Sequence, residues 1–262
     1  MQRKGIDISE FQRVKDFELL KTEAEFVMIR AGFGFCTIDS EFFYNIHGLD
    51  EAKIPYGCYW FSYALSVDDA KKEAEYFCDL MDKYASPVLP LYIDWEYDSE
   101  RYAKQHGVNM TGDLLRKIVI AFLNVCNDRG YHAGVYTNPD YIQRFFYSAA
   151  WLRNIGSLWL ASWGIDEPVT CDIWQYTSKG QMQSISGNVD LDICYIDMVP
   201  KPAEKTIDEC LDEVLSEYDD ICHDIMSGKY GSGDERKKKL GKYYDVAQKI
   251  INQAYLRKDG EF

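Results

Sequence analysis

Short runs of apolar and aromatic residues alternate with amphipathic segments up to about residue 197. Alternation of this kind is typical of repeated strand–helix units. It predicts eight strands, at residues 5–9, 26–32, 56–63, 89–96, 133–137, 158–163, 172–177 and 189–195. Ser66 is placed to cap a helix that ends near Tyr84, and Thr111 a helix that ends near Arg129, followed by Gly130 as a stop signal. Eight strands with intervening helices predict a (β/α) barrel.

The later connections limit how regular such a barrel can be. Only about eight residues separate the strand that ends at 163 from the strand that begins at 172, which is too short for a full helix and its turns. We therefore expect an α/β fold with an irregular or incomplete (β/α) barrel, in which the last strands are not all parallel.

The pattern changes at Pro200-Lys201-Pro202, which marks a linker over residues 200–205. Helix-forming residues then replace β-branched and aromatic ones, and Thr206 with Glu209 makes a capping box. Apolar residues recur at intervals of three and four beyond that point. The sequence thus predicts a barrel over residues 1–199 and a small all-α three-helix bundle over residues 206–262.

Composition excludes several classes of function. With 47% hydrophobic residues the chain can bury a large core. No apolar stretch approaches the roughly 18 residues of a membrane span, so we expect no membrane insertion. A net charge of −14 argues against nucleic-acid binding, because neutralising phosphates takes clustered Lys and Arg. The eight cysteines show no CxxC pair and no nearby His at zinc-ligand spacing, so we expect free thiols, no metal site and no cofactor in a monomer.

Two acidic residues end the apolar run at 89–96. Asp94 and Glu96 are separated by one residue, so their side chains project from the same face of the predicted strand. Strand ends form the active-site rim of a barrel, and two like charges held close together raise at least one pKa. The pair is therefore a candidate for general acid catalysis. The alternative is a pair of rim carboxylates in salt bridges with Arg or Lys.

Further acidic and aromatic residues lie at other strand ends. Asp7 and Asp190 extend the acidic set, whereas Asp192 is interpreted as a turn or capping residue. Aromatic rings near strand ends can stack on sugar rings, although core packing is the alternative role for each. The aromatic residues concerned are Tyr59, Trp60, Tyr63, Tyr136, Trp163, Trp174 and Tyr176.

The ordered set of segments resembles glycoside hydrolase family 25, the lysozymes that cleave between N-acetylmuramic acid and N-acetylglucosamine. The segments include Gly-Ile-Asp-Ile-Ser at 5–9, Leu-Tyr-Ile-Asp-Trp-Glu at 91–96, Ile-Trp-Gln-Tyr-Thr at 173–177 and Val-Asp-Leu-Asp at 189–192. The resemblance implies that Glu96 protonates the leaving oxygen with Asp94 beside it, and that Asp7 and Asp190 complete an acidic groove.

The same resemblance implies several substrate contacts. It places Tyr63 near the bound N-acetyl group and adds Gln175 and Arg30 to the aromatic residues of the groove. Some members of the family carry Lys and His where this chain has Arg30 and Trp60.

A second resemblance covers the C-terminal bundle. The segment from Ile225 to Asn252 is similar to the peptidoglycan-binding repeats found behind some phage lysozymes. It implies muropeptide contacts by Tyr230 and Arg236, for which structural roles are the alternative. A single repeat should bind weakly, because linked copies raise the effective concentration.

These patterns predict a muramidase that acts on peptidoglycan glycan strands and is targeted to the wall by its C-terminal domain. The alternatives are a non-catalytic wall-binding protein on a barrel scaffold, and a metal-dependent barrel hydrolase. No apolar run follows the first eight residues, so no signal peptide is recognisable. We expect action outside the cell or in the cell wall after secretion, or passage from the host cytoplasm to the wall through a holin if the protein is a phage endolysin.

Overall fold

The computed structural model describes residues 2–164, 170–198, 229–240 and 244 of the 262-residue chain. The chain divides into two compact units, Met1–Ala203 and Glu204–Phe262. No helix among the described residues has the length and apolar character that a membrane span needs. The predicted linker at 200–205 and most of the predicted three-helix bundle lie outside the described residues.

Eight of the strands in the first unit close into a barrel. The strands are β1 (Arg3–Ile8), β2 (Phe26–Phe33), β3 (Thr37–Ile38), β4 (Tyr56–Phe61), β5 (Leu91–Asp94), β6 (Ala133–Thr137), β7 (Ser157–Ala161), β8 (Ile173–Gly180) and β9 (Val189–Cys194). Strands β1, β2 and β4 to β8 run parallel in that order around the ring. The two-residue strand β3 pairs with β2 outside the ring.

The barrel is irregular at its last strand. β9 is antiparallel to both of its neighbours, β8 and β1, and its register with β8 shifts between Gln175 and Thr177 and again before Gly180. The expectation of an irregular barrel whose last strands are not all parallel is confirmed. The barrel is not incomplete, because β1 pairs along both of its edges and closes the ring.

Helices surround the barrel in the first unit. They are α1 (Phe17–Glu23), α2 (Phe42–Ala52), α3 (Val67–Tyr84), α4 (Tyr97–Gln105), α5 (Gly112–Asp128), α6 (Pro139–Phe145) and α7 (Ala149–Ile155). The two predicted helices are confirmed as α3 and α5, since the side chains of Ser66 and Thr111 accept hydrogen bonds from their first turns. Helices α1, α6 and α7 have seven residues each, too few to show a helical period in the sequence.

Alternation along the strands sorts the apolar side chains into two layers. The larger layer lies between the strands and the helices. The smaller layer fills the barrel interior and includes Phe26, Met28, Tyr92, Trp159 and Ile173. The inward positions that follow along the strands, nearer the mouth of the barrel, carry polar groups. The interior apolar layer is therefore the floor of a polar pocket.

The described part of the second unit contains helix α8 (Gly233–Leu240) and the turn before it. Nε and Nη2 of Arg236 donate hydrogen bonds to the carbonyl oxygen of Gly231 at 3.0 and 2.7 Å. Arg236 therefore stabilises the turn that leads into α8. Tyr230 lies half-buried in the same turn.

Candidate active site

Four carboxyl groups meet at the mouth of the barrel. Asp7 lies near the end of β1 and Asp94 is the last residue of β5, whereas Glu96 is the residue that precedes α4. Asp190 stands opposite Asp7 in the pairing of β1 with β9. Because β9 runs against its neighbours, its start lies at the same rim as the carboxyl ends of the other strands. The structure thus brings the four predicted acids into one pocket.

Polar and aromatic side chains make up most of the pocket wall. Besides the four acids, the lining residues are Ser9, Glu10, Phe11, Gln12, Arg30, Phe33, Tyr59, Phe61, Tyr63, Asp98, Tyr136, Trp159 and Gln175. The substrate contacts expected from the sequence that fall in this set are Tyr63, Tyr59, Tyr136, Gln175 and Arg30. Arg30 is the one basic residue among the lining residues that the structure describes. No three or more His, Cys, Asp or Glu side chains among the described residues are arranged to hold a metal ion.

Two expected aromatic contacts are wrong. Trp60 is fully buried on the outer face of β4, and its Nε1 donates to the carbonyl oxygen of Gly34 at 3.1 Å. Trp174 is also buried, and its Nε1 donates to the carbonyl oxygen of Ser162 at 2.8 Å. Each tryptophan is adjacent in its strand to a residue that faces the pocket, so the pleat turns the indole toward the helices. Neither ring is available to a sugar.

Burial is the main influence on Glu96. Burial, followed by the negative charges of Asp98 and Asp190, raises the pKa of Glu96 to about 7. The backbone N–H of Glu96 donates to Oγ of Ser99 at 3.2 Å, which fixes the residue at the start of α4. A carboxyl group that keeps its proton at neutral pH can donate it to a leaving oxygen.

Asp94 lies deeper in the pocket than Glu96. Burial raises the pKa of Asp94 well above its usual range, the charge of Glu96 adds to this effect, and the charge of Arg30 opposes it. Oδ1 of Asp94 is buried and has no hydrogen-bond partner among the residues that the structure describes. Leaving a buried polar atom without a partner is costly. This oxygen is therefore a site for a donor from a ligand or from water.

Gln175 links the acids on the other side of the pocket. Its Nε2 donates to Oδ2 of Asp7 at 2.8 Å and lies 3.5 Å from Oδ2 of Asp190. Its Oε1 accepts from the hydroxyl of Tyr136 and from Nε1 of Trp163, both at 3.2 Å. Trp163 is 55% exposed and lies at the edge of the pocket, outside the set of lining residues.

The expectation that Asp192 is a turn or capping residue is wrong. Asp192 lies within β9, is fully buried, and accepts a hydrogen bond from Nε1 of Trp159 at 2.8 Å. Burial raises the pKa of Asp192 to about 8, although the Trp159 hydrogen bond acts in the opposite direction. The two-residue spacing from Asp190 is the sequence signal that places Asp192 on the inner face. Trp159 lies inside an apolar run, which carries no such signal.

Arg30 is held by two carboxylates beside the pocket. Its Nε donates to Oδ2 of Asp39 and its Nη2 to Oε1 of Glu10, both at 2.7 Å. The guanidinium carbon lies 5.2 and 5.3 Å from the ring centres of Phe11 and Phe33. These contacts fix the position of the cation in the pocket wall.

Tyr63 follows β4, and its position depends on a buried glutamate of α3. Its backbone N–H donates to Oε1 of Glu73 at 3.0 Å, and the hydroxyl of Ser62 donates to Oε2 of Glu73 at 2.5 Å. The ring of Tyr63 packs against Tyr102 with 4.7 Å between ring centres. Glu73 thus fixes the segment that presents Tyr63 to the pocket.

A barrel with carboxyl groups gathered at the rim, one of them with its pKa raised to about 7, is the arrangement of a glycoside hydrolase. The family model described as "Glycosyl hydrolases family 25" matches residues 6–185, and the chain belongs to this family. The resemblance seen in the sequence is confirmed. Residues 219–254 match the model of the CW_7 repeat, in agreement with the resemblance of the C-terminal segment.

Individual relatives match about three quarters of the chain. The autolytic lysozyme of Clostridium acetobutylicum is 28% identical over 193 residues, which are 72% of this chain and 55% of the relative, so the chain spans about half the length of that protein. The modular autolysin LytC of Streptococcus pneumoniae is 28% identical with a TM-score of 0.63, over 74% of this chain and 47% of LytC. A lysozyme of Streptomyces coelicolor shares the fold at 22% identity and a TM-score of 0.63, over 72% of this chain and 90% of its own.

Proposed function

We propose that the protein is a lysozyme that hydrolyses the β-1,4 bond between N-acetylmuramic acid and N-acetylglucosamine in bacterial peptidoglycan. The observation that carries the proposal is the group of Asp7, Asp94, Glu96 and Asp190 at the mouth of the barrel, where burial raises the pKa of Glu96 to about 7. The autolytic lysozyme of Clostridium acetobutylicum supports this substrate class, as does LytC, which has been studied in complex with a synthetic peptidoglycan ligand.

In this mechanism Glu96 donates its proton to the glycosidic oxygen as the bond to the anomeric carbon breaks. Oδ1 of Asp94 accepts a hydrogen bond from the acetamide N–H of the substrate, which turns the acetamide oxygen toward the anomeric carbon. Asp190 supplies negative charge on the side of the pocket where the sugar ring becomes positive, with the carboxyl group of Asp7 beside it. As that bond breaks, the acetamide oxygen bonds to the anomeric carbon. A water molecule then gives a proton to the ionised Glu96 and bonds to the same carbon, which releases the acetamide oxygen.

Assistance by the acetamide group predicts net retention at the anomeric carbon, because two displacements occur at the same centre. Proton NMR of the first products, recorded before the anomers equilibrate, measures the configuration. A product of inverted configuration contradicts the acetamide route but not the assignment as a muramidase.

Aromatic rings that line the groove give it surfaces for sugar binding. Phe11 is 75% exposed and lines the pocket beside Arg30, whereas Tyr59 and Tyr136 lie deeper, close to the acids. Aromatic faces of this kind stack on the apolar faces of sugars. Tyr63 is the ring that we assign to the N-acetyl group of the substrate.

The CW_7 match supports a wall-binding role for the C-terminal segment. In this proposal residues 1–199 form the catalytic domain, residues 200–205 a linker and residues 206–262 the domain that holds the enzyme on the wall. Tyr230 and Arg236 contact the muropeptide, and the bonds from Arg236 to Gly231 also give this side chain a structural role. The protein acts at the cell wall, which it reaches by secretion or through a holin.

The test is digestion of purified peptidoglycan by the wild type, by Glu96→Gln and by Glu75→Gln as a matched control on the exposed face of α3. New reducing ends are reduced with borohydride and identified by mass spectrometry. We expect muramitol at the new ends with the wild type and the control, and a fall of about a hundredfold or more with Glu96→Gln, because general acid catalysis contributes at least that factor.

Two results would contradict the proposal. One is the absence of new reducing ends from the wild type on several kinds of wall, which favours a non-catalytic wall-binding protein. The other is equal cleavage by the wild type and Glu96→Gln, which removes Glu96 from the chemistry.

A further inference from the structure

Asp7 and Asp192 form a pair of carboxyl groups in the barrel interior. Their side chains lie within hydrogen-bonding reach of each other. Asp192 stands opposite Gly5 in the pairing of β1 with β9, which puts it diagonally across from Asp7 on the inner face. A carboxylate only accepts hydrogen bonds, so a bond between two carboxyl groups requires a proton on one of them.

Too few donors surround the pair for both groups to be ionised. Asp7 accepts one hydrogen bond from Gln175, at 2.8 Å, and Asp192 accepts one from Trp159, also at 2.8 Å. Oδ2 of Asp192 is buried and meets no N–H or hydroxyl donor among the described residues. Two unpaired negative charges in contact inside a barrel would be strongly unfavourable.

The other titratable groups that interact electrostatically with the pair do not relieve this charge. They are the carboxyl group of Asp190 and the thiol of Cys194 on β9, and the phenols of Tyr59 on β4, Tyr136 on β6 and Tyr176 on β8. Burial, with the charges of Asp192 and Asp190 added, raises the pKa of Asp7 well above its usual range. The direction of this shift agrees with the shortage of donors.

We propose that Asp7 and Asp192 share a single proton at neutral pH, and that Asp192 is thereby a positioning residue for Asp7. The shared proton holds the two carboxyl groups together between Trp159 and Gln175. The orientation of Asp7 in the pocket is then fixed from below, by a residue that makes no contact with substrate. The positioning role rests on the proposed lysozyme function, whereas the shared proton does not.

The shared proton is tested without substrate. Protein labelled with ¹³C at the aspartate side-chain carboxyl carbons is titrated by NMR as the wild type, as Asp192→Asn and as Asp197→Asn, a control at an exposed aspartate after β9. We expect a carboxyl signal in the wild type, besides that of Asp94, that is still protonated at pH 7 and titrates above it. This step disappears in Asp192→Asn and remains in Asp197→Asn. Ionisation of every aspartate below about pH 5 would overturn the proposal.

The positioning role is tested by comparing two replacements of Asp192. In Asp192→Asn the amide oxygen can accept from Trp159 and the amide nitrogen can donate to Asp7, so we expect kcat within about threefold of the wild type. In Asp192→Ala both partners lose their bond, so kcat should fall about tenfold or more with little change in KM.

Equal losses of kcat in the two variants would overturn the positioning role. If Asp192→Ala fails to fold, the wild-type titration and the activity of Asp192→Asn decide the proposal without it. If the wild type cleaves no glycan, the lysozyme function and the positioning role fail, while the NMR titration still decides whether the proton is shared.

Discussion

Glu96 is a residue on which burial and neighbouring charge act in the same direction. Asp98 contributes to the raised pKa from an exposed position, where it also forms an ion pair with Arg101. Solvent screens an exposed charge, so the effect of Asp98 is smaller than that of burial. A general acid of this kind is active while protonated and becomes inactive when it ionises.

This behaviour predicts the pH dependence of catalysis. We expect kcat/KM for glycan cleavage to fall as the pH rises through about 7, where Glu96 loses its proton. Asp98→Asn removes a charge that raises this pKa, so the alkaline limb should move to lower pH by less than about one unit. Rate profiles of both proteins measure the shift, with Glu75→Gln as the control. A limb that moves to higher pH would contradict the assignment of Glu96.

The strands were predictable because each apolar run needs burial on both faces of the sheet. Strands β5, β6 and β7 all overlap the predicted runs at 89–96, 133–137 and 158–163. Because both faces of these strands are apolar, the sequence does not show which side chains point into the barrel. Trp60 and Trp159 look alike in the sequence, yet Trp60 packs under α3 and Trp159 lines the pocket. The two differ in whether their position on the strand faces the helices or the barrel interior, and only the closed ring shows this.

Part of the candidate site was predictable for a different reason. Asp7 and Asp94 interrupt apolar strands, and a carboxyl group there is tolerated when it faces a polar pocket or a partner. Asp192 could be interpreted either as an acid of the pocket or as a turn or capping residue, because the sequence does not show where β9 begins relative to the rim. Glu10 and Asp98 lie outside the strands, where no periodic pattern indicates the direction of a side chain.

Helix α3 has a role in the site that its amphipathic pattern does not reveal. Glu73→Ala removes the acceptor of two hydrogen bonds, from Tyr63 and Ser62, in a buried setting. We expect a loss of about 1–3 kcal/mol in the free energy of unfolding, together with a lower kcat/KM as Tyr63 loses its position. Glu73→Gln keeps an acceptor for the Tyr63 N–H and should lose less of both. Urea unfolding and glycan kinetics measure the two effects, and equal behaviour of the two variants would contradict this role.

Several buried acids bind protons more tightly in the folded protein than in the unfolded chain. The pKa values of Glu73, Glu96 and Asp192 are about 7, 7 and 8 in the folded protein, and roughly 4 is expected for each in the unfolded chain. Between about pH 4 and pH 8 the folded protein therefore binds more protons than the unfolded chain. The free energy of unfolding falls as pH rises across such a range.

We therefore expect the protein to be more stable near pH 5 than near pH 8, with each of these groups contributing a slope of up to about 1.4 kcal/mol per pH unit. Urea unfolding at a series of pH values measures the curve. Asp192→Asn removes one of the groups and should flatten it, whereas Glu75→Gln should run parallel to the wild type. Stability that is constant or rises from pH 5 to pH 8 would contradict the raised pKa values.

The double pairing of β1 has a consequence for how the protein is made. Among the strands of the ring, β1 is the first to leave the ribosome and β9 the last, yet the two must pair before the barrel closes. Until residue 194 has been synthesised, one edge of β1 has no partner, and such an edge favours aggregation during translation. Asp7 also comes close to Asp190 and Asp192 only when β9 pairs with β1. A nascent chain that stops short of β9 therefore has neither a closed ring nor the complete set of acids, and the candidate site matures only after nearly the whole first unit has been translated.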